Sequence, residues 1–119
     1  MINAQICFCA RGVSMKQTSE ACKPMSEKQI ESLMTRMVRN RGGLCYKFTS
    51  PNNPGVPDRL VITPAGRIIF VELKTEIGKL ANVQKWQVSE IRKRGADVRV
   101  LHGWPAIKDF LDEVMPHEI

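Results

Sequence analysis

No stretch of this sequence approaches the roughly 20 apolar residues that span a bilayer, so a membrane-crossing helix is not read in it. Nor does a basic leader precede an apolar block near the N-terminus, and no export signal is read; a soluble, cytoplasmic protein is expected. The four cysteines, Cys7, Cys9, Cys22 and Cys45, contain no C-x-x-C pair. Without a second pair beside Cys7-Phe8-Cys9, no zinc site is complete, and reduced thiols are expected in that compartment. The two histidines, His102 and His117, have no partner pattern. Internal repeats and low-complexity tracts are absent. Acidic residues are the scarce charge, 12 against 18 Lys and Arg, which gives a net charge of +6 and a pI of about 9.4. Such an excess of cations points to a polyanionic partner, either nucleic acid or an acidic membrane surface.

What is present fits one small α/β domain. The 119 residues with 43% hydrophobic content support a single core of modest size. Residues 1–24 lack periodicity and read as a loosely ordered arm; residues 25–119 form the domain. Ser26 is a good helix N-cap, with Glu27 in the first turn, where the helix dipole favours an acid. Ile30, Leu33, Met34, Met37 and Val38 follow at helical spacing, and Gly42-Gly43 stops the helix. Residues 44–49 read as a strand, and residues 50–57, rich in Pro and Asn, as an irregular loop. A hairpin comes next. A second helix is predicted from about Asn82 to Arg94, burying Val83, Trp86, Ile91 and either Gln87 or Val88. Residues 97–101 read as a strand and residues 105–114 as a final helix. The expected order is α-β-β-β-α-β-α.

The hairpin concentrates the chemistry. Pro57-Asp58-Arg59-Leu60-Val61-Ile62-Thr63 turns through Pro64-Ala65-Gly66 and returns as Arg67-Ile68-Ile69-Phe70-Val71-Glu72-Leu73-Lys74. Three-residue hairpin loops favour a left-handed glycine at their end, and Gly66 suits that place. Thr63 then pairs with Arg67, and counting outward sets Asp58 opposite Glu72. Directly opposed β-carbons lie roughly 4.5–5.5 Å apart. Lys74, two residues beyond Glu72, projects from the same face. Two carboxylates so close repel one another, and a hard divalent cation relieves this through oxygen ligands. Leu60, Ile62, Ile68 and Phe70 share that face, while Val61, Ile69, Val71 and Leu73 line the other. A sheet apolar on both sides needs helices on both sides. In a basic chain, this two-carboxylate site with a lysine beside it points to hydrolysis of a nucleic-acid phosphodiester.

Pro57-Asp58 and Glu72-Leu73-Lys74 on a hairpin, within this element order, resemble the PD-(D/E)xK nuclease superfamily. Ser26-Glu27-Lys28-Gln29-Ile30, Arg41-Gly42-Gly43, Gly55-Val56-Pro57-Asp58-Arg59, Phe70-Val71-Glu72-Leu73-Lys74, Gly78-Lys79-Leu80 and Gln84 are similar to the VRR-NUC (virus-type replication-repair nuclease) family over residues 25–104. The resemblance implies a restriction-endonuclease-like core, a central mixed four-stranded sheet flanked by helices. It also implies a Mg²⁺- or Mn²⁺-dependent endonuclease that leaves a 5′-phosphate. At this size the chain resembles stand-alone phage or bacterial members, some of which are homodimeric Holliday-junction resolvases. A homodimer acting on branched or junction DNA is therefore expected.

Within that reading Asp58 and Glu72 are the metal ligands, and Lys74 orients the attacking water or stabilises developing phosphorane charge. Glu27 matches the helix-one acid by its place in the motif order, with Glu31 as substitute. Gln84 could hydrogen-bond Lys74, a metal water or a phosphate. Lys47, Arg59, Lys79 and Lys85 are candidates for holding the phosphate backbone. Each also has a plainer reading as a solvated or ion-paired surface residue. A catalytically silent nucleic-acid-binding module of the same fold is the alternative; it predicts salt-sensitive binding without cleavage.

Overall fold

The computed structural model describes residues 24–116. Cys7, Cys9, Cys22 and His117, and all of the expected N-terminal arm except Pro24, lie outside the described residues. Seven elements follow in the predicted order: α1 (Glu27–Asn40), β1 (Leu44–Lys47), β2 (Arg59–Ile62), β3 (Ile68–Lys74), α2 (Asn82–Lys93), β4 (Asp97–His102) and α3 (Gly103–Val114). Helix α1 starts where its sequence offers reciprocal caps. The Ser26 hydroxyl accepts from the Gln29 N–H at 3.2 Å, and the Gln29 side chain accepts from the Ser26 N–H at 2.9 Å. Two otherwise unpartnered helix-end donors are thereby satisfied.

The strands form one mixed sheet in the order β1-β2-β3-β4. β1–β2 and β2–β3 are antiparallel. β3–β4 is parallel, as a strand–helix–strand crossover through α2 requires. On one sheet face Val61, Ile69, Val71 and Leu73 are buried with Ile30, Met34 and Val38 of α1 and Ile107, Phe110 and Leu111 of α3. Full burial of one such side chain contributes roughly 1.5–3 kcal/mol, so this layer holds most of the fold's stability. β4 is tied to α3 at the surface by Arg99, which donates to Asp97 at 2.8 Å and to Glu113 at 3.0 Å.

The opposite face differs from the sequence expectation. Helix α2 buries only Val88. Val83 and Trp86 are exposed, Trp86 at 58%, and Ile91 is half-buried. The helix faces the sheet along Gln84, Val88 and Ile91, a stripe at i, i+4 and i+7. Its first position is polar because it meets a carboxylate, which shifts the stripe away from the one that apolar spacing suggests. The first half of the sheet on this side has little cover, and Leu44, Tyr46 and Ile68 are exposed.

Candidate active site

The register of β2 and β3 places the two carboxylates. Thr63 and Arg67 close the hairpin, the Thr63 N–H donating to the Arg67 carbonyl at 2.9 Å. Gly66 sits at φ +92°, the left-handed position expected of it. The Arg59–Val71, Leu60–Phe70 and Ile62–Ile68 pairs follow. One step outward, Asp58 stands opposite Glu72, as counting from the turn predicts. Asp58 is fixed from behind as well. The Phe48 N–H donates to its carbonyl at 2.8 Å, and Pro57 is fully buried. The loop before it lies against the start of α2: a β-carbon on Gly55 would sit 2.8 Å from the Val83 carbonyl, and Gln87 donates to the Pro54 carbonyl at 3.2 Å.

Glu72 is the buried member of the pair, 7% exposed. Burial first, and the Asp58 carboxylate second, push its carboxyl up to about 7. Lys74 and a backbone hydrogen bond from Asp58 pull the other way. The Lys74 ammonium lies 3.8 Å from Glu72 Oε2, too far for a tight ion pair. Gln84 makes the closer contact, its Nε2 donating to the same Oε2 at 3.1 Å. The Gln84 carbonyl oxygen accepts from the Ala81 N–H at 2.8 Å, which turns the amide NH₂ toward Glu72. Gln84 thus links the first turn of α2 to a carboxylate rather than to Lys74.

The remaining sequence-predicted residues divide. Glu27 is exposed in the first turn of α1, and its charge adds to the pressure on Glu72. Glu31, the substitute, is instead paired with Arg59 at 2.9 Å. That pair draws Arg59 toward α1, and the strand alternation sets it on the sheet face opposite Asp58. Lys47 is exposed with its ammonium 3.8 Å from Asp58. Lys79 is exposed, and Lys85 lines a shallow groove with Ser89, Arg92 and Lys93 on α2. Sequence reasoning missed the Arg59–Glu31 pair, which joins residues 28 positions apart, and the Gln84–Glu72 contact.

Among the described residues, no three His, Cys, Asp or Glu side chains converge as a ligand cluster. The site offers two opposed carboxylates, one of them pushed toward its protonated form by burial and by the charge of the other. Oxygen-only donors with a charge deficit suit a hard divalent cation, so the residues present fit such an ion.

The chain resembles known proteins in sequence and in fold. The sequence profile of the VRR-NUC domain matches residues 3–105, a span that begins upstream of the motifs read from the sequence. A protein of Acyrthosiphon pisum secondary endosymbiont phage 1 named "Putative nuclease p44" is 44% identical over 75 residues, covering 63% of this chain and 81% of that one. A solved structure described as a VRR-NUC domain is 35% identical with a TM-score of 0.67, covering 73% of this chain and 94% of the other.

Proposed function

This chain belongs to the VRR-NUC domain family, and we propose that it is a Mg²⁺- or Mn²⁺-dependent DNA endonuclease acting on branched or junction DNA. The observation that supports this most directly is the Asp58–Glu72 opposition, with Gln84 on one Glu72 oxygen and Lys74 alongside. Asp58 and Glu72 would hold the ion, which when bound supplies Lewis-acid polarisation of the phosphate and acidifies water. The protein's own residues do the rest. Gln84 occupies Glu72 Oε2 and leaves the other oxygen for a ligand role. Lys74 holds the attacking water and balances charge on the phosphoryl oxygens as they gain it. The water oxygen bonds to phosphorus as the P–O3′ bond breaks, the 3′-oxygen takes up a proton, and a 5′-phosphate remains. A second copy related by twofold symmetry would suit a junction with two scissile bonds; the homodimer and a cytoplasmic setting belong to the same proposal. No helix among the described residues is long and apolar enough to cross a membrane.

The test is cleavage of a labelled panel (four-way junction, flap, splayed arm, linear duplex, single strand) with Mg²⁺, Mn²⁺ or EDTA. Metal-dependent cutting, strongest on a branched substrate, is expected. Salt-sensitive binding without cutting of any substrate in either metal would identify a silent binding module instead.

A further inference from the structure

Helix α1 carries a second polar stripe, away from its buried one. Ile30, Met34 and Val38 face the core. Lys28, Ser32, Thr35, Arg36, Arg39 and Asn40 line a surface groove of about 570 Å³ together with Glu31 and Arg59. Positions 28, 32, 36, 39 and 40 recur at three- and four-residue steps, so the stripe is continuous along the helix. Four cations meet one acid in this groove, and Glu31 is already paired with Arg59. Lys28, Arg36 and Arg39 have no acidic partner among the described residues. Ser32 adds a hydroxyl of the kind that donates to phosphate oxygens, whereas the Thr35 hydroxyl donates to the Cys45 sulfur at 3.6 Å. The N-terminal end of the groove lies toward the carboxylate site, since Lys28 follows Glu27, whose charge reaches Glu72; Arg59 closes the groove from the sheet face opposite Asp58.

We propose that this groove binds the phosphate backbone of the DNA flanking the scissile bond. The inference rests on reading the chain as a DNA nuclease and adds a surface that the carboxylate site does not include. From residue 28 to residue 40 the helix rises about 18 Å. At about 3.4 Å of axis per phosphate on one strand, that is room for about five phosphates. A groove with three cations that have no acidic partner among the described residues matches such a strand in charge and reach.

The test is binding of a labelled 30-base-pair duplex in EDTA, titrated from 50 to 200 mM salt, so that cleavage plays no part. Arg36→Gln with Arg39→Gln should make the slope of log K against log salt shallower by about 1.8. Over that range the variant should therefore lose about 12-fold less affinity than the unsubstituted protein. Lys93→Gln with Arg94→Gln removes the same charge from the end of α2 and should leave the slope in place. Arg36, Arg39 and Lys28 are all exposed; if the first pair fails to fold, as judged by its melting curve, Lys28→Gln with Arg36→Gln asks the same question. An unchanged slope would overturn the proposal, as would equal shifts from both ends of the molecule. A duplex RNA of the same length is the last arm, and a slope change confined to RNA would overturn the assignment to DNA. Binding in EDTA is read whether or not the panel is cut, so this result and the nuclease result can fail separately.

Discussion

Along β3 the odd-numbered residues Ile69, Val71 and Leu73 face α1 and α3 and are buried among aliphatic side chains. The even-numbered Glu72 and Lys74 face α2 beside Gln84, and Ile68 stands 57% exposed. Seven consecutive residues thus build a packed layer on one side and a charged site on the other. The period-two alternation of a strand makes this separation possible. One face can be optimised for cohesion while the other keeps a buried, poorly neutralised carboxylate. Substitutions on the two faces should therefore fail in different assays.

The largest effect is expected on the charged face. Lys74→Ala should lower cleavage by about 10²–10³-fold, the range for loss of one group that stabilises transition-state charge. The melting temperature should stay near that of the unsubstituted protein. Undiminished turnover in Lys74→Ala would remove this residue from the chemistry. On the packed face the pattern reverses. Leu111→Ala or Ile69→Ala should cost about 2–5 kcal/mol of stability in urea unfolding, because both are fully buried and leave a cavity. Ile68→Ala, one residue along the same strand, should change stability by only about 0.5 kcal/mol. Similar losses at residues 68 and 69 would mean that the two faces are equally covered in solution.

The hairpin was legible because a single glycine fixed the loop, the loop fixed the register, and the register set Asp58 against Glu72. Helix α1 was legible from an unbroken apolar stripe and a cap that satisfies itself locally. Helix α2 was legible in extent but not in orientation. Apolar spacing made Trp86 and Val83 the buried side, whereas the stripe that meets the sheet begins with Gln84. An amide serving a carboxylate carries no hydrophobic signal. The Arg59–Glu31 pair was hidden for another reason: a strand residue and a helix residue meet only once the chain has folded, and neither flanking sequence announces the partner.

Glu72 sharpens the contrast through pH. Its folded pKa, about 7, lies above the ordinary 4.5, so the folded state holds this proton more tightly than the unfolded chain does. The stability it permits is fully present below about pH 4.5, declines as the pH rises from there to about 7, and is gone above that. The difference amounts to about 3 kcal/mol across the window. Glu72→Gln, which cannot ionise, should therefore be more stable than the unsubstituted metal-free protein at pH 8 and close to it at pH 4. Cleavage should be lost in the same variant. Parallel stability–pH curves for the two proteins would show that Glu72 is not under electrostatic strain.

The smallest effect is expected at Trp86. A buried tryptophan cut to alanine costs about 3–5 kcal/mol. At 58% exposure, Trp86 has few neighbours to lose, and Trp86→Ala should cost less than about 1 kcal/mol in dilute protein. That outcome follows from the covering of the α2 face by this chain alone. If a second copy packs on that face, the cost should grow with protein concentration, because association stabilises only the folded state. Melting temperatures of the unsubstituted protein and Trp86→Ala, each measured over a hundredfold range of concentration, separate the two cases. A gap that widens with concentration would make the half-open face a subunit contact. A small and constant gap would leave Trp86 to solvent and would require the proposed homodimer to form elsewhere.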